Sequence, residues 1–192
     1  MNDNQPNLES LSRTQILVLM GVTAIILLLI TQVWQRWGNI ALVPFHADGE
    51  SLIKGVLLGA LVIGLSTIVS KLWLGYRLSA KKYLNLIITP LAIPDLIWVG
   101  LLPGLSEELL FRGLMIPAFG YGWGAVILSS FLFGVLHWND QANWHYVLWA
   151  TIIGLMFGFS VYFTDNLCIP ITAHIVTNLI SSLLWKINPD YE

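Results

Sequence analysis

A chain of 192 residues that is 56% apolar and only 10% charged, with a mean hydropathy of +0.74, lies far from the roughly 25% charged fraction of soluble domains. It reads as a polytopic integral membrane protein. Its formal net charge of −2 leaves no basic field for nucleic acid, and its single cysteine, Cys168, excludes an internal disulfide framework.

In chain order, the apolar run 16–30, within an expected span over 16–34, follows Arg13 as the core of a signal peptide would. Thr31, Gln32, Val33 and Trp34 after it offer no small-residue cleavage site, so a retained first span is expected. About 20 mostly apolar residues cross a bilayer, and further segments of that kind are expected at 51–74, 84–102, 105–119, 122–138, 144–163 and 171–186. Pro90, Pro94 and Pro103-Gly104 interrupt the third and fourth, which could instead form one kinked span and a shorter element, so six and seven crossings both stay open. The expected fold class is all-α: a polytopic membrane helix bundle enclosing a polar cavity, with N-terminal helices over 1–83 and a core over 84–192.

The loop expected after the second segment holds Lys71, Arg77, Lys81 and Lys82 without an acidic residue, which predicts that it and the amino terminus face the cytoplasm. Trp34, Trp37, Trp73, Trp98, Trp123, Trp138, Trp144 and Trp185 fall near the segment ends, where indoles anchor at the lipid-water interface. Nothing distinguishes a plasma membrane from an internal one such as the thylakoid.

Three hydrophobic segments carry polar residues that lipid tolerates only when paired or lining a cavity. In Ser106-Glu107-Glu108-Leu109-Leu110-Phe111-Arg112, Glu108 and Arg112 are four apart, share a helix face and neutralise one another, whereas Glu107 points elsewhere with no local cation. The competing reading is an exposed Glu/Arg helix start at the headgroups. Phe133 and His137 share a face at the end of an apolar helix, where a histidine beside Trp138 and Asn139 also reads as interfacial. His174 and Asn178 lie one turn apart, either as hydrogen-bonding glue between helices or as two donors aimed at one developing negative charge.

Taken jointly, these residues describe a reaction. A glutamate near a neutral histidine can take a proton from one water as general base, while His174 and Asn178 hold the carbonyl oxygen as a tetrahedral intermediate forms. That is peptide-bond hydrolysis without a serine or cysteine nucleophile. Cys168 has no adjacent base in sequence and reads as a small apolar filler.

Glu107-Glu108-x-x-x-Arg112, Phe133-x-x-x-His137 and His174-x-x-x-Asn178, in that order over about 102–184, resemble the three motifs of the CPBP intramembrane proteases, the family of CAAX prenyl endopeptidases and bacterial Abi or bacteriocin-processing proteins. The resemblance implies a glutamate-dependent endopeptidase with its site inside the membrane. Glu107 would activate water with His137 as its partner, Glu108 would be the second glutamate braced by Arg112, His174 and Asn178 would form the oxyanion hole, and Phe133 would pack. It implies a membrane-associated protein or peptide as substrate, of which a CAAX tail is one kind, and the lipid bilayer as the remaining partner.

A metal-free site without cofactor is the favoured expectation, because an asparagine beside His174 suits an oxyanion better than zinc, and no helical H-E-x-x-H is present. Zinc held by Glu107, His137 and His174 is the alternative. Simple antiparallel hairpins would put His137 and His174 near opposite membrane faces, so residues 165–170 are expected to dip into the membrane, or the helices to tilt strongly. A separation of Glu107 and His174 beyond about 12 Å would exclude a shared water. Two other functions stay open: a non-catalytic membrane scaffold or chaperone of the same fold, and a proton or cation carrier with Asp95 as an extra relay member.

Overall fold

The computed structural model describes residues 11–138 and 140–188, and among these every regular element is helical. α1 (Arg13–Gly38) opens on a reciprocal cap in which the Gln15 amide donates to Ser12 Oγ at 3.3 Å and the Ser12 amide to Gln15 Oε1 at 2.8 Å. α2 (Gly49–Leu72) is capped by Asp48, whose Oδ1 accepts from the Ser51 amide at 2.8 Å. α3 (Leu74–Ile87), a 3₁₀ turn (Ile93–Asp95), α4 (Leu96–Glu108), a π-helical segment (Leu109–Met115) and the single turn α5 (Ile116–Ala118) follow. α6 (Trp123–Val135), α7 (Trp144–Thr164) and α8 (Cys168–Ile187) complete the bundle.

α1, α2, α7 and α8 are each long and apolar enough to cross a bilayer, whereas α6 is a shorter apolar helix. The apolar side chains of α1 lie mostly on the outside, with Ile25 59% and Leu29 54% exposed, a surface that only lipid covers cheaply. The molecule is an integral membrane protein.

α8 sits at the centre because glycines let its neighbours approach closely. A Cβ at Gly59 of α2 would stand 2.9 Å from the Ala173 carbonyl, and one at Gly100 of α4 would stand 3.1 Å from the Ile175 carbonyl. Such small-residue contacts are how membrane helices pack without a hydrophobic driving force.

The structure corrects three sequence expectations. The basic stretch 71–82 is not a loop: most of it forms α3, an amphipathic helix with Tyr76 and Ser79 buried and Leu74 and Leu78 exposed to 57% and 58%. The expected span 84–102 is divided between the end of α3 and the start of α4: Pro90 disfavours a continued helix at the residue before it, and Pro94 sits in the first turn of the new 3₁₀ element after extended Ala92. Pro103, by contrast, does not end a helix, and α4 runs through it into the π-helical segment. The Leu102–Leu105 break is therefore absent, and residues 96–118 form one continuous helical run.

The carboxylate of Asp95 ties the start of this run to α1, accepting from Arg13 Nε at 2.6 Å and Nη2 at 2.8 Å, and from the Ala92 amide at 2.7 Å. It is a clasp between helix starts and does not line the polar cavity described below. The Arg13 hydrogen bonds hold its carboxyl down at about 2, below the ordinary 3.8. A carboxyl depressed on folding contributes stability that is whole above its unfolded value and disappears as the pH falls through its folded one. The wild type is therefore expected to lose thermal stability between about pH 4 and pH 2 more steeply than Asp95→Asn in the same detergent. Parallel melting curves would contradict the clasp.

Candidate active site

The site is assembled around the π-helical segment that follows Glu108. A π turn widens the helix and is found mostly at functional positions; here its carbonyls find partners beyond the helix. Phe111 O accepts from Ser129 Oγ of α6 at 2.6 Å, and Gly113 O accepts from the Val43 amide at 3.0 Å. The wide turn is thus fixed to its neighbours on two sides.

Glu108 and Arg112 are both fully buried. Arg112 Nη1 donates to Glu108 Oε1 at 2.9 Å, and Nη2 donates to the Gly154 carbonyl of α7 at 3.1 Å. The guanidinium carbon stands 4.3 Å from the centroid of the Phe133 ring, an arrangement that gains most where water is excluded. A Cβ at Gly154 would lie 3.1 Å from Arg112 Nη2 and 3.2 Å from Ser130, so a side chain there would press on the arginine that reaches that carbonyl. Gly154→Ala is expected to cost about 1 to 3 kcal/mol through overpacking, read as a lowered melting temperature. Gly124→Ala, where no atom stands within 4 Å, should melt like the wild type.

His174, in the second turn of α8, brings the third motif onto this pair. Its Nδ1 lies 2.7 Å from Glu108 Oε1, and its Nε2 lies 4.0 Å from Glu107 Oε2. Since Oε1 already accepts from Arg112, the imidazole is the donor at Nδ1, and Nε2 is the nitrogen presented to Glu107. The separation is well inside the 12 Å limit. Glu107 Oε2, like Glu108 Oε2, is buried without a hydrogen-bond partner among the described residues; of the two carboxylates, only that of Glu107 lines the cavity described below.

His137 lies just beyond the end of α6. Its Nδ1 donates to the Phe133 carbonyl at 2.8 Å, which in the neutral ring leaves Nε2 with the lone pair of a base. The Phe133 ring packs against both histidines, with centroids 4.8 Å from His137 and 6.1 Å from His174. A short helix eases the difficulty of opposite membrane faces. α6 has 13 residues, about 20 Å against the ~30 Å hydrocarbon core, so its end need not reach the surface. Residues 165–167 join α7 to α8, and Pro170 occupies the first turn of α8, where its missing donor is harmless.

Asn178 has a specific structural partner. Pro103 has no N–H for the Val99 carbonyl one turn before it, and Asn178 Nδ2 donates to that carbonyl at 3.3 Å. One amide hydrogen is engaged there, and the second is left for the cavity. Glu107, His137, His174 and Asn178 all line a single cavity of about 370 Å³, with Glu108 and Arg112 packed behind its wall.

Sequence reasoning missed Tyr83 and Tyr146, which line the same cavity with rings stacked at 5.1 Å. Tyr146 is also 5.9 Å from His137 between centroids. The recurrence of Tyr76, Ser79 and Tyr83 at helical spacing was the available signal, hidden by the basic residues around them. Among the described residues no group of three His, Cys, Asp or Glu side chains is placed to hold a metal ion.

Comparison with known proteins gives a consistent placement. The family model described as "Type II CAAX prenyl endopeptidase Rce1-like" matches residues 89–180. The chain is 33% identical over 89 residues to "Uncharacterized protein YpbD" of Bacillus subtilis (strain 168), a match covering 46% of this chain and 44% of that protein. No solved structure matches. Residues 89–180, which hold all three motifs, are thus similar to the Rce1-like type II CAAX prenyl endopeptidases, and the chain spans less than half the length of the curated relative it matches.

Proposed function

We propose that this protein is an intramembrane endopeptidase that hydrolyses peptide bonds with water activated by Glu107, without a metal or other cofactor. The observation that carries the reading is the approach of His174 Nε2 to the unpartnered Glu107 Oε2 at 4.0 Å on the wall of a cavity that also holds His137. The similarity of 89–180 to the type II CAAX prenyl endopeptidase family model supports the same class of reaction.

In this reading Glu107, with His137 Nε2, takes a proton from water as the water oxygen bonds to the substrate carbonyl carbon. The negative charge that develops on the carbonyl oxygen is met by His174 and by the free amide hydrogen of Asn178. Because Nδ1–H of His174 is committed to Glu108, donation from Nε2 requires a second proton on the ring. A cationic His174 and Arg112 would then balance Glu107 and Glu108 inside the bundle. As the intermediate collapses, the C–N bond breaks and the proton carried by Glu107 passes to the leaving amine.

The substrate is a peptide segment of a membrane-associated protein. The basic face of α3 and the amino terminus are assigned to the cytoplasmic side, following the charge of Lys71, Arg77, Lys81 and Lys82.

Purified wild type, Glu107→Ala, His137→Ala and His174→Ala are to be incubated with a fluorogenic peptide library and membrane-protein candidates, with chelator and with added zinc. Cleavage by the wild type that survives chelator and is lost in each variant is expected. Chelator-sensitive cleavage restored by zinc would instead assign Glu107, His137 and His174 as ligands. Equal cellular function of wild type and variants would favour a scaffold, and proton flux in liposomes lost in Glu107→Ala would favour a carrier.

A further inference from the structure

A second cavity, of about 250 Å³, opens between α2, α3 and α8 and shares Ser66, Tyr76, Ala80, Leu84 and Ser181 with the first. Its walls divide by chemistry. Ile63, Leu184 and Trp185 supply an apolar side, while Lys71, Arg77 and Lys81, with the hydroxyls of Thr67 and Ser70, supply a basic, hydrogen-bonding one. We propose that this cavity binds an anionic phospholipid of the surrounding bilayer, its phosphate held by Lys71 and Arg77 and its acyl chain lying along the apolar side.

Three observations lead there. Lys71 and Arg77 have no acidic partner among the described residues, whereas Lys82, on the same helix as Arg77, is paired to Asp140 at 2.6 Å. Positive charge without a counterion beside an apolar wall calls for an anion that carries its own hydrocarbon, and basic pockets between membrane helices are where anionic headgroups settle. The surface next to the opening is already lipid-facing: Leu72, Leu74 and Leu78 are 82%, 57% and 58% exposed. A water-soluble anion would satisfy the charges and leave those leucines and the apolar wall uncovered. This inference does not depend on the protease reading, since none of its residues acts in the proposed chemistry.

The test uses the full chain in nanodiscs of equal phosphatidylglycerol and phosphatidylcholine, released and weighed by native mass spectrometry. Wild type should retain phosphatidylglycerol in preference to phosphatidylcholine. The preference should fall about five-fold for each charge removed in Lys71→Gln and Arg77→Gln, the effect of one basic side chain at a lipid surface. Lys82→Gln should leave it unchanged; an equal fall there would mark a general surface-charge effect and overturn the site. In the wild type alone, which needs no variant to fold, short-chain phosphatidylglycerol should displace the retained lipid and short-chain phosphatidylcholine should not. Displacement by inorganic phosphate at the same concentration, or equal retention of both lipids, would overturn the assignment.

Discussion

Glu107→Gln is expected to lower the rate of peptide-bond hydrolysis by about 10³-fold while the protein still folds and melts within a few degrees of the wild type. The size follows from the usual contribution of a positioned general base, about 10² to 10⁴. The specificity follows from geometry, because Glu107 Oε2 has no hydrogen-bond partner among the described residues for the amide to forfeit. Activity is read with whichever library peptide the wild type cleaves, and stability by thermal unfolding in detergent. A variant retaining more than a tenth of the wild-type rate would remove Glu107 from the chemistry.

Arg112→Leu is expected to act in the opposite way, through the fold. It leaves the fully buried Glu108 carboxylate with His174 alone and abandons the Gly154 carbonyl. Breaking a buried ion pair from one side costs about 3 to 5 kcal/mol, because the remaining charge is left in a medium that cannot solvate it. The variant should unfold far below the wild type or fail to accumulate. Adding Glu108→Gln should restore part of the loss, since the double variant buries no uncompensated charge. If Arg112→Leu alone melted like the wild type, the glutamate-arginine pair would not be the brace described above.

The motif residues were legible because each breaks a rule for lipid-embedded helices. Four-residue spacing put Glu108 on Arg112, and the structure has them 2.9 Å apart. It also left Glu107 without a cation on its own helix, and its nearest one, His174, comes from α8 at 4.0 Å. The same spacing aligned His174 with Asn178 without revealing that Pro103 frees the Val99 carbonyl for Asn178, since that link joins residues 79 apart in sequence. The divided third segment was hidden for a different reason. Hydropathy sums over a window, and the turn at 88–92 is made by prolines inside an apolar stretch, so composition and backbone geometry point in different directions. α3 was hidden by charge: its lysines and arginine read as a loop, although its inward tyrosines keep helical spacing. The π turn after Glu108 has no signature in residue type at all, because it is held by Ser129 and Val43 from elsewhere in the chain.

The claim that one water is served jointly from two distant helices is tested most directly by a double-mutant cycle of Glu107→Gln and His174→Ala on the rate of hydrolysis. Groups that act as a unit are strongly non-additive, so the double variant should be about as slow as the slower single variant. Two losses that multiply, each independent of the other, would mean that the glutamate and the histidine do not serve the same reacting centre.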